Sequence, residues 1–113
     1  MNNQNHIRII TSSRREFLNW AKENYTGFYS LQHIFPEKEI DIEITNIIFY
    51  KKESEIKKYY KDGVTDSIID KFKEILQING LPNRVIDAMI FEIDSDENIS
   101  INYEGNYFSR INK

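Results

Sequence analysis

The chain contains no cysteine, and that removes disulfide scaffolds, zinc–thiolate sites, iron–sulfur clusters and a thiol nucleophile. Histidine occurs only twice, as His6 and His33, and neither has the Ser, Asp or Glu spacing of a triad or a metal motif. There are four glycines and two prolines, and no glycine-rich loop that would cradle a phosphate. The G-x-S-x-G and H-E-x-x-H motifs are also missing. Apolar runs are only a few residues long, far short of the roughly 20 needed to span a bilayer. The polar start, Met1-Asn2-Asn3-Gln4-Asn5-His6, has no apolar segment of the kind a secretory signal requires, so the expected location is the cytoplasm. Net charge is −3, a poor basis for the phosphate neutralisation on which nonspecific nucleic-acid binding rests. No cofactor is implied.

What is present suits one ordinary globular core. The length of 113 residues fits one domain and leaves no room for two. A chain of this size buries about two-thirds of its unfolded surface. Its 40% hydrophobic and 13% aromatic content is too high for a disordered chain.

The hydrophobic periodicity outlines an α+β fold. Residues 1–6 are expected to fray, and residues 6–11 read as a short strand with Ile7 and Ile9 on one face. Ser13-Arg14-Arg15-Glu16 has the form of a capping box, and Phe17, Leu18, Ala21 and Tyr25 follow at helical spacing. That predicts a helix over 14–25, closed by Gly27 with positive φ. Residues 28–39 read as a loop. Ile40-Asp41-Ile42-Glu43-Ile44 alternates as a half-buried strand does, and a bulge near Asn46 would carry it into Ile47-Ile48-Phe49-Tyr50. Residues 51–61 offer at most a helical turn. Asp62-Gly63 marks a turn. The strongest helix, over 66–78, starts from Thr65 or Asp66 and carries the stripe Ile68, Ile69, Phe72, Ile75, Leu76; Asn79-Gly80-Leu81-Pro82 stops it. Met89, Phe91 and Ile93, then Ile99, Ile101 and Tyr103, alternate around the polar stretch 94–98. That predicts a C-terminal β-hairpin in an antiparallel sheet, covered on one side by the two helices.

Charge is distributed unevenly. Between Val85 and Ser109 there are six carboxylates (Asp87, Glu92, Asp94, Asp96, Glu97 and Glu104) and no Lys or Arg. The stretch carries −6 against −3 for the whole chain, so the remainder is net positive. A localised negative field steers a positive partner. The plainer alternative is a solvated turn that keeps an edge strand soluble. Asp94, Asp96 and Asn98 match the first three ligand positions of a calcium loop, but the required Gly and Glu are replaced by Ile99 and Gly105, which excludes an EF-hand. Aromatics beside charge, as at Tyr103 and Tyr107, are what protein interfaces tend to use. Two other readings stand beside a binding module. One is a small metal-dependent enzyme that uses the same carboxylates. The other is a regulatory nucleic-acid binder that uses Lys51, Lys52, Lys57, Lys58 and Lys61 with Tyr59 and Tyr60, a patch interrupted by Glu53 and Glu55.

The segment Phe72-Lys73-Glu74-Ile75, then Ala88 through Tyr103, with Ile47-Ile48-Phe49-Tyr50 upstream, resembles the YezG-like antitoxin and immunity proteins of bacterial polymorphic toxin systems of the contact-dependent inhibition type. The likeness spans about residues 40–108. It departs from the family pattern at the turn, where Glu97-Asn98 replaces a glycine, and in lacking a tryptophan before the hairpin. The resemblance implies a non-enzymatic cytoplasmic protein that blocks a cognate toxin domain, expected to be a basic nuclease. The residues expected to meet that partner are Glu92, Asp94, Asp96, Glu97, Tyr103, Glu104 and Tyr107.

Overall fold

The computed structural model describes residues 3–36 and 43–112. Its elements are α1 (Asn3–Asn24), β1 (Phe28–Ile34), β2 (Thr45–Tyr50), α2 (Glu53–Lys61), α3 (Val64–Ile78), α4 (Asn83–Asp87), β3 (Ile90–Ser95), α5 (Asp96–Asn102) and α6 (Tyr107–Ile111). The α+β expectation holds at this level, and none of the described helices is long and apolar enough to cross a membrane.

The first helix is longer than its capping signal suggests. The buried positions His6, Ile10, Ser13, Phe17 and Ala21 recur every three or four residues, so one stripe runs from the beginning of α1 to its end. The strand expected over 6–11 is therefore helix: the short Ile alternation fitted both periods, and the longer stripe decided. Ser13 is no cap. It lies mid-helix and accepts a hydrogen bond from Asn79 Nδ2 at 3.0 Å. Gly27 closes the helix without a positive φ. It is needed for space, because a Cβ there would run into the Glu55 carboxylate and the Tyr59 hydroxyl. The Gly27 N–H donates to that same hydroxyl at 3.2 Å.

The segment read as a loop supplies β1, with Phe28 and Leu31 buried. Most of the strand expected at 40–44 lies outside the described residues; Glu43 and Ile44 are not in a strand. The irregularity expected near Asn46 occurs instead between Phe28 and Ser30 of β1. Residues 53–61 form a full helix, α2. Gly63, in the left-handed region at φ 77°, occupies the cap of α3, while Thr65 turns inward to bond the Tyr50 hydroxyl at 2.6 Å. Gly80, at φ 95°, ends α3 as expected.

The sheet has the order β1-β2-β3 and is mixed, not antiparallel: β1 and β2 are antiparallel, but β3 runs parallel to β2. The C-terminal hairpin does not form. After β3 the chain turns directly into α5, because Ser95 accepts a hydrogen bond from Asn98 N at 2.9 Å as an N-cap and Asp96 and Glu97 fill the first turn. Ile99 is buried while Ile101 is 71% exposed, which separates two residues that a strand would have placed on one face.

The pleat divides the sheet's side chains between two layers. Leu31, Ile48, Tyr50, Phe91 and Ile93 face α1 and α3 and join Phe17, Phe72, Ile68 and Leu76 in the main core. Ile34, Ile47 and Phe49 face the other way, against Ile99, Tyr103, Tyr107 and Ile111.

Candidate functional site

The parallel register places Glu92 beside Ile47 and Asp94 beside Phe49. Both carboxylates therefore project onto the smaller layer, beneath α5 and α6. Arg110 reaches back from α6 between them. Its Nε lies 2.5 Å from Asp94 Oδ2, and its Nη2 lies 3.4 Å from Glu92 Oε1. Burial alone would lower the Arg110 pKa. The bond and charge of Asp94, with Glu92 behind it, outweigh burial and raise it. The other Asp94 oxygen accepts from Ser95 N at 2.8 Å and Asn98 Nδ2 at 2.9 Å, so this 7% exposed carboxylate is fully engaged.

The neighbouring acids are also held. The Tyr107 hydroxyl donates to Asp96 Oδ1 at 2.5 Å. Burial first, then the Asp96 carboxylate, keeps that phenol protonated well above the ordinary tyrosine range. Its ring meets Phe49 edge-on at 4.9 Å and stacks near Tyr29 at 6.2 Å. Glu97 Oε1 accepts from Glu53 N at 3.0 Å, at the first residue of α2. In return, Glu53 Oε1 accepts from Ser95 Oγ, the α5 cap, at 2.6 Å. The Glu97 carboxylate thus satisfies an amide at the start of α2, while Glu53 holds the hydroxyl that caps α5; both carboxylates sit at helix starts, which favour negative charge.

The structure brings Glu92, Asp94, Asp96, Glu97 and Tyr107 to one side of the sheet, each held by a hydrogen bond or ion pair of its own region. Glu104 stands apart, exposed on the α5–α6 turn at φ 53°, and Tyr103 half-buries its ring in the apolar cluster below. The residue the acidic stretch did not disclose is Arg110, one position past its end. The available signal was that Arg110 is the only Lys or Arg between Val85 and Asn112, which makes it the nearest cation in sequence on the C-terminal side of the acidic stretch. Glu53, distant in sequence, left no such signal.

Elsewhere, Lys51, Lys52, Lys57, Lys58 and Lys61 are exposed around α2, but Tyr59 turns inward onto Tyr50 and Tyr25 and only Tyr60 stays outside. Among the described residues no three His, Asp or Glu side chains converge as metal ligands would. In the main core, Asn46 donates from Nδ2 to the Ile44 and Ile90 carbonyls, each at 3.2 Å. Its Oδ1 must therefore accept, and His33 Nδ1, 2.7 Å away, carries the proton. The His33 ring stacks on Phe72, and its Nε2 is buried without a hydrogen-bond partner among the described residues. Burial lowers the His33 pKa to about 4 against the partial opposition of Asn46, so the ring is neutral at pH 7.

Comparison with known protein families, with curated proteins and with solved structures finds no match.

Proposed function

We propose that the chain is a cytoplasmic immunity protein or antitoxin that binds a cognate bacterial toxin domain, a basic nuclease, and blocks it through its acidic C-terminal layer. The observation that carries this reading is the charge balance of a fixed surface. Glu92 and Asp94 share Arg110, Tyr107 holds Asp96 and the Glu53 amide holds Glu97, and among the described residues Arg110 is the only cation paired with these four acids. Neutral donors hold the remaining carboxylates, so they stay in place without being cancelled, and a negative field remains to steer a positive partner. The resemblance in residues 40–108 points to the same class of protein.

Within the layer, contact falls to the exposed groups. Glu92 and Glu104 are available, whereas Asp94 serves the fold. The test is co-expression with toxin domains of basic nucleases, those encoded beside this chain's gene first, followed by binding kinetics of the purified pair. Rescue of growth and a stable complex are expected. Glu92→Gln combined with Glu104→Gln should slow association about tenfold at low salt and have little effect at high salt. A complex whose association is indifferent to both changes and to salt would remove the acidic surface from the interface. Failure to rescue or to bind would remove the reading itself.

A further inference from the structure

The two edges of the sheet are finished differently. On the β1 edge, pairing with β2 turns the Leu31 and His33 backbones outward, and the Leu31 carbonyl is taken by Arg14 Nε of α1 at 2.8 Å. The irregularity between Phe28 and Ser30 bends the same strand. Both features obstruct addition of another strand.

The β3 edge has neither. The Ile90 N–H bonds the Ile44 carbonyl at 3.0 Å, which turns the backbones of Ile90, Glu92 and Asp94 toward β2 and those of Phe91, Ile93 and Ser95 away. The Ser95 N–H is occupied by Asp94 Oδ1. Among the described residues, the outward N–H and C=O groups of Phe91 and Ile93 have no backbone partner. The side chains beside this edge form two rows. Phe91 and Ile93 give an apolar row on the α3 side, with Lys73 Nζ 5.6 Å above the Phe91 ring. Glu92 and Asp94, with the 39% exposed Ile90, give an acidic row on the α6 side. Lys73 also lines a cleft of about 390 Å³ with Asp70, Glu74 and Asp87. Among the described residues, the acidic row and this cleft together hold the carboxylates of Asp70, Glu74, Asp87, Glu92 and Asp94 beside the cations Lys73 and Arg110.

We infer that the β3 edge receives an extended strand of the basic partner, which adds to the sheet with apolar residues beside Phe91 and Ile93 and Lys or Arg beside Glu92. The inference rests on the function proposed above and specifies how the partner docks. A second copy of this chain suits the edge poorly, because edge-to-edge pairing would oppose the acidic rows of the two copies. Main-chain bonds would supply affinity and the alternating rows specificity.

The test is made on the intact chain by amide hydrogen exchange and isotope-edited NMR. In the free chain, the Phe91 and Ile93 amides should exchange at least tenfold faster than those of Glu92 and Asp94; equal protection of all four would overturn an open edge. An eight-residue peptide alternating Lys and Val should shift the Phe91 and Ile93 amides. The same peptide N-methylated on the backbone facing the edge, or with Glu for Lys, should not. Shifts spread over the acidic surface without those two amides, or no binding at millimolar peptide, would overturn the inference. Ile90→Lys, a surface change, should weaken peptide binding at least fivefold, and unchanged binding counts against the edge. A free-chain dimer that Ile90→Lys dissociates would assign the edge to a second copy instead. With the toxin domain itself, a tight complex that leaves the Phe91 and Ile93 amides exchanging freely sinks the edge and spares the proposed function. Absence of any complex sinks the function.

Discussion

On one face of the sheet, Ile48 and Tyr50 lie under Phe17, Ile68 and Phe72, in a continuous apolar layer. On the other, Ile47 and Phe49 lie under two short helices whose hold on the sheet is largely polar: Arg110 to Asp94 and Glu92, Tyr107 to Asp96, and Ser95 to the start of α5. The first face depends on nondirectional burial, which tolerates small displacements. The second depends on hydrogen bonds and a largely buried ion pair, where loss of one partner strands the other. The charge that makes the second face a candidate surface is thus also part of its own fastening.

The largest effect should come from the apolar face. Phe72→Ala removes a ring in contact with Phe17, His33 and Phe91 and should cost about 4 kcal/mol in urea unfolding. Both layers should be lost in a single transition; a loss under about 1 kcal/mol would mean the main core does not govern stability. Next, Arg110→Met leaves Asp94 buried without its cation and should cost about 3 kcal/mol. Adding Asp94→Asn, which removes the charge and keeps an acceptor for Ser95 N and Asn98 Nδ2, should recover most of that loss. If the double variant is as unstable as the single, the ion pair is not what fastens the second face.

Acid separates the faces in another way. His33 binds its proton at about pH 4 when folded and near pH 6.5 when unfolded, so between these values the unfolded chain holds more protons and stability falls as pH falls. About 2 kcal/mol should be lost from this residue by pH 5. The slope between pH 6.5 and 5 should flatten in His33→Gln, and an identical slope in both proteins would refute it. A smaller effect is expected for Ser95→Ala, which deletes the α5 cap and should cost about 1 kcal/mol with α5 amide protection falling first. The smallest is a gain. Glu104→Gly should stabilise by about 0.5 kcal/mol, since Glu104 occupies the left-handed region, and a loss on that change would argue that the Glu104 side chain is itself structural.

The apolar face was legible from sequence because its signals are local and periodic. The α3 stripe from Ile68 to Leu76 and the Phe17–Ala21 spacing both survive in the structure. The second face was not. Ile99, Ile101 and Tyr103 satisfy a period of two, and over five residues that pattern also accommodates a helix with Ile99 and Tyr103 inside. Choosing between them required the Ser95 cap, which competes with strand pairing only once β3 has found β2.

By itself, the sequence determined that a cysteine-free core would join the α3 and Phe17 stripes to the apolar segment Ile47–Tyr50, of which Ile48 and Tyr50 face that core, and that negative charge would gather between Val85 and Ser109. Only the tertiary structure decided that β3 joins β2 in parallel, that Glu97 takes the first amide of α2 while Glu53 takes the hydroxyl of the α5 cap Ser95, and that Arg110 folds back onto Asp94. The reason is physical: a stripe is written in neighbouring residues, but a counter-charge is recruited from wherever the folded chain brings one within bonding distance of a carboxylate being desolvated.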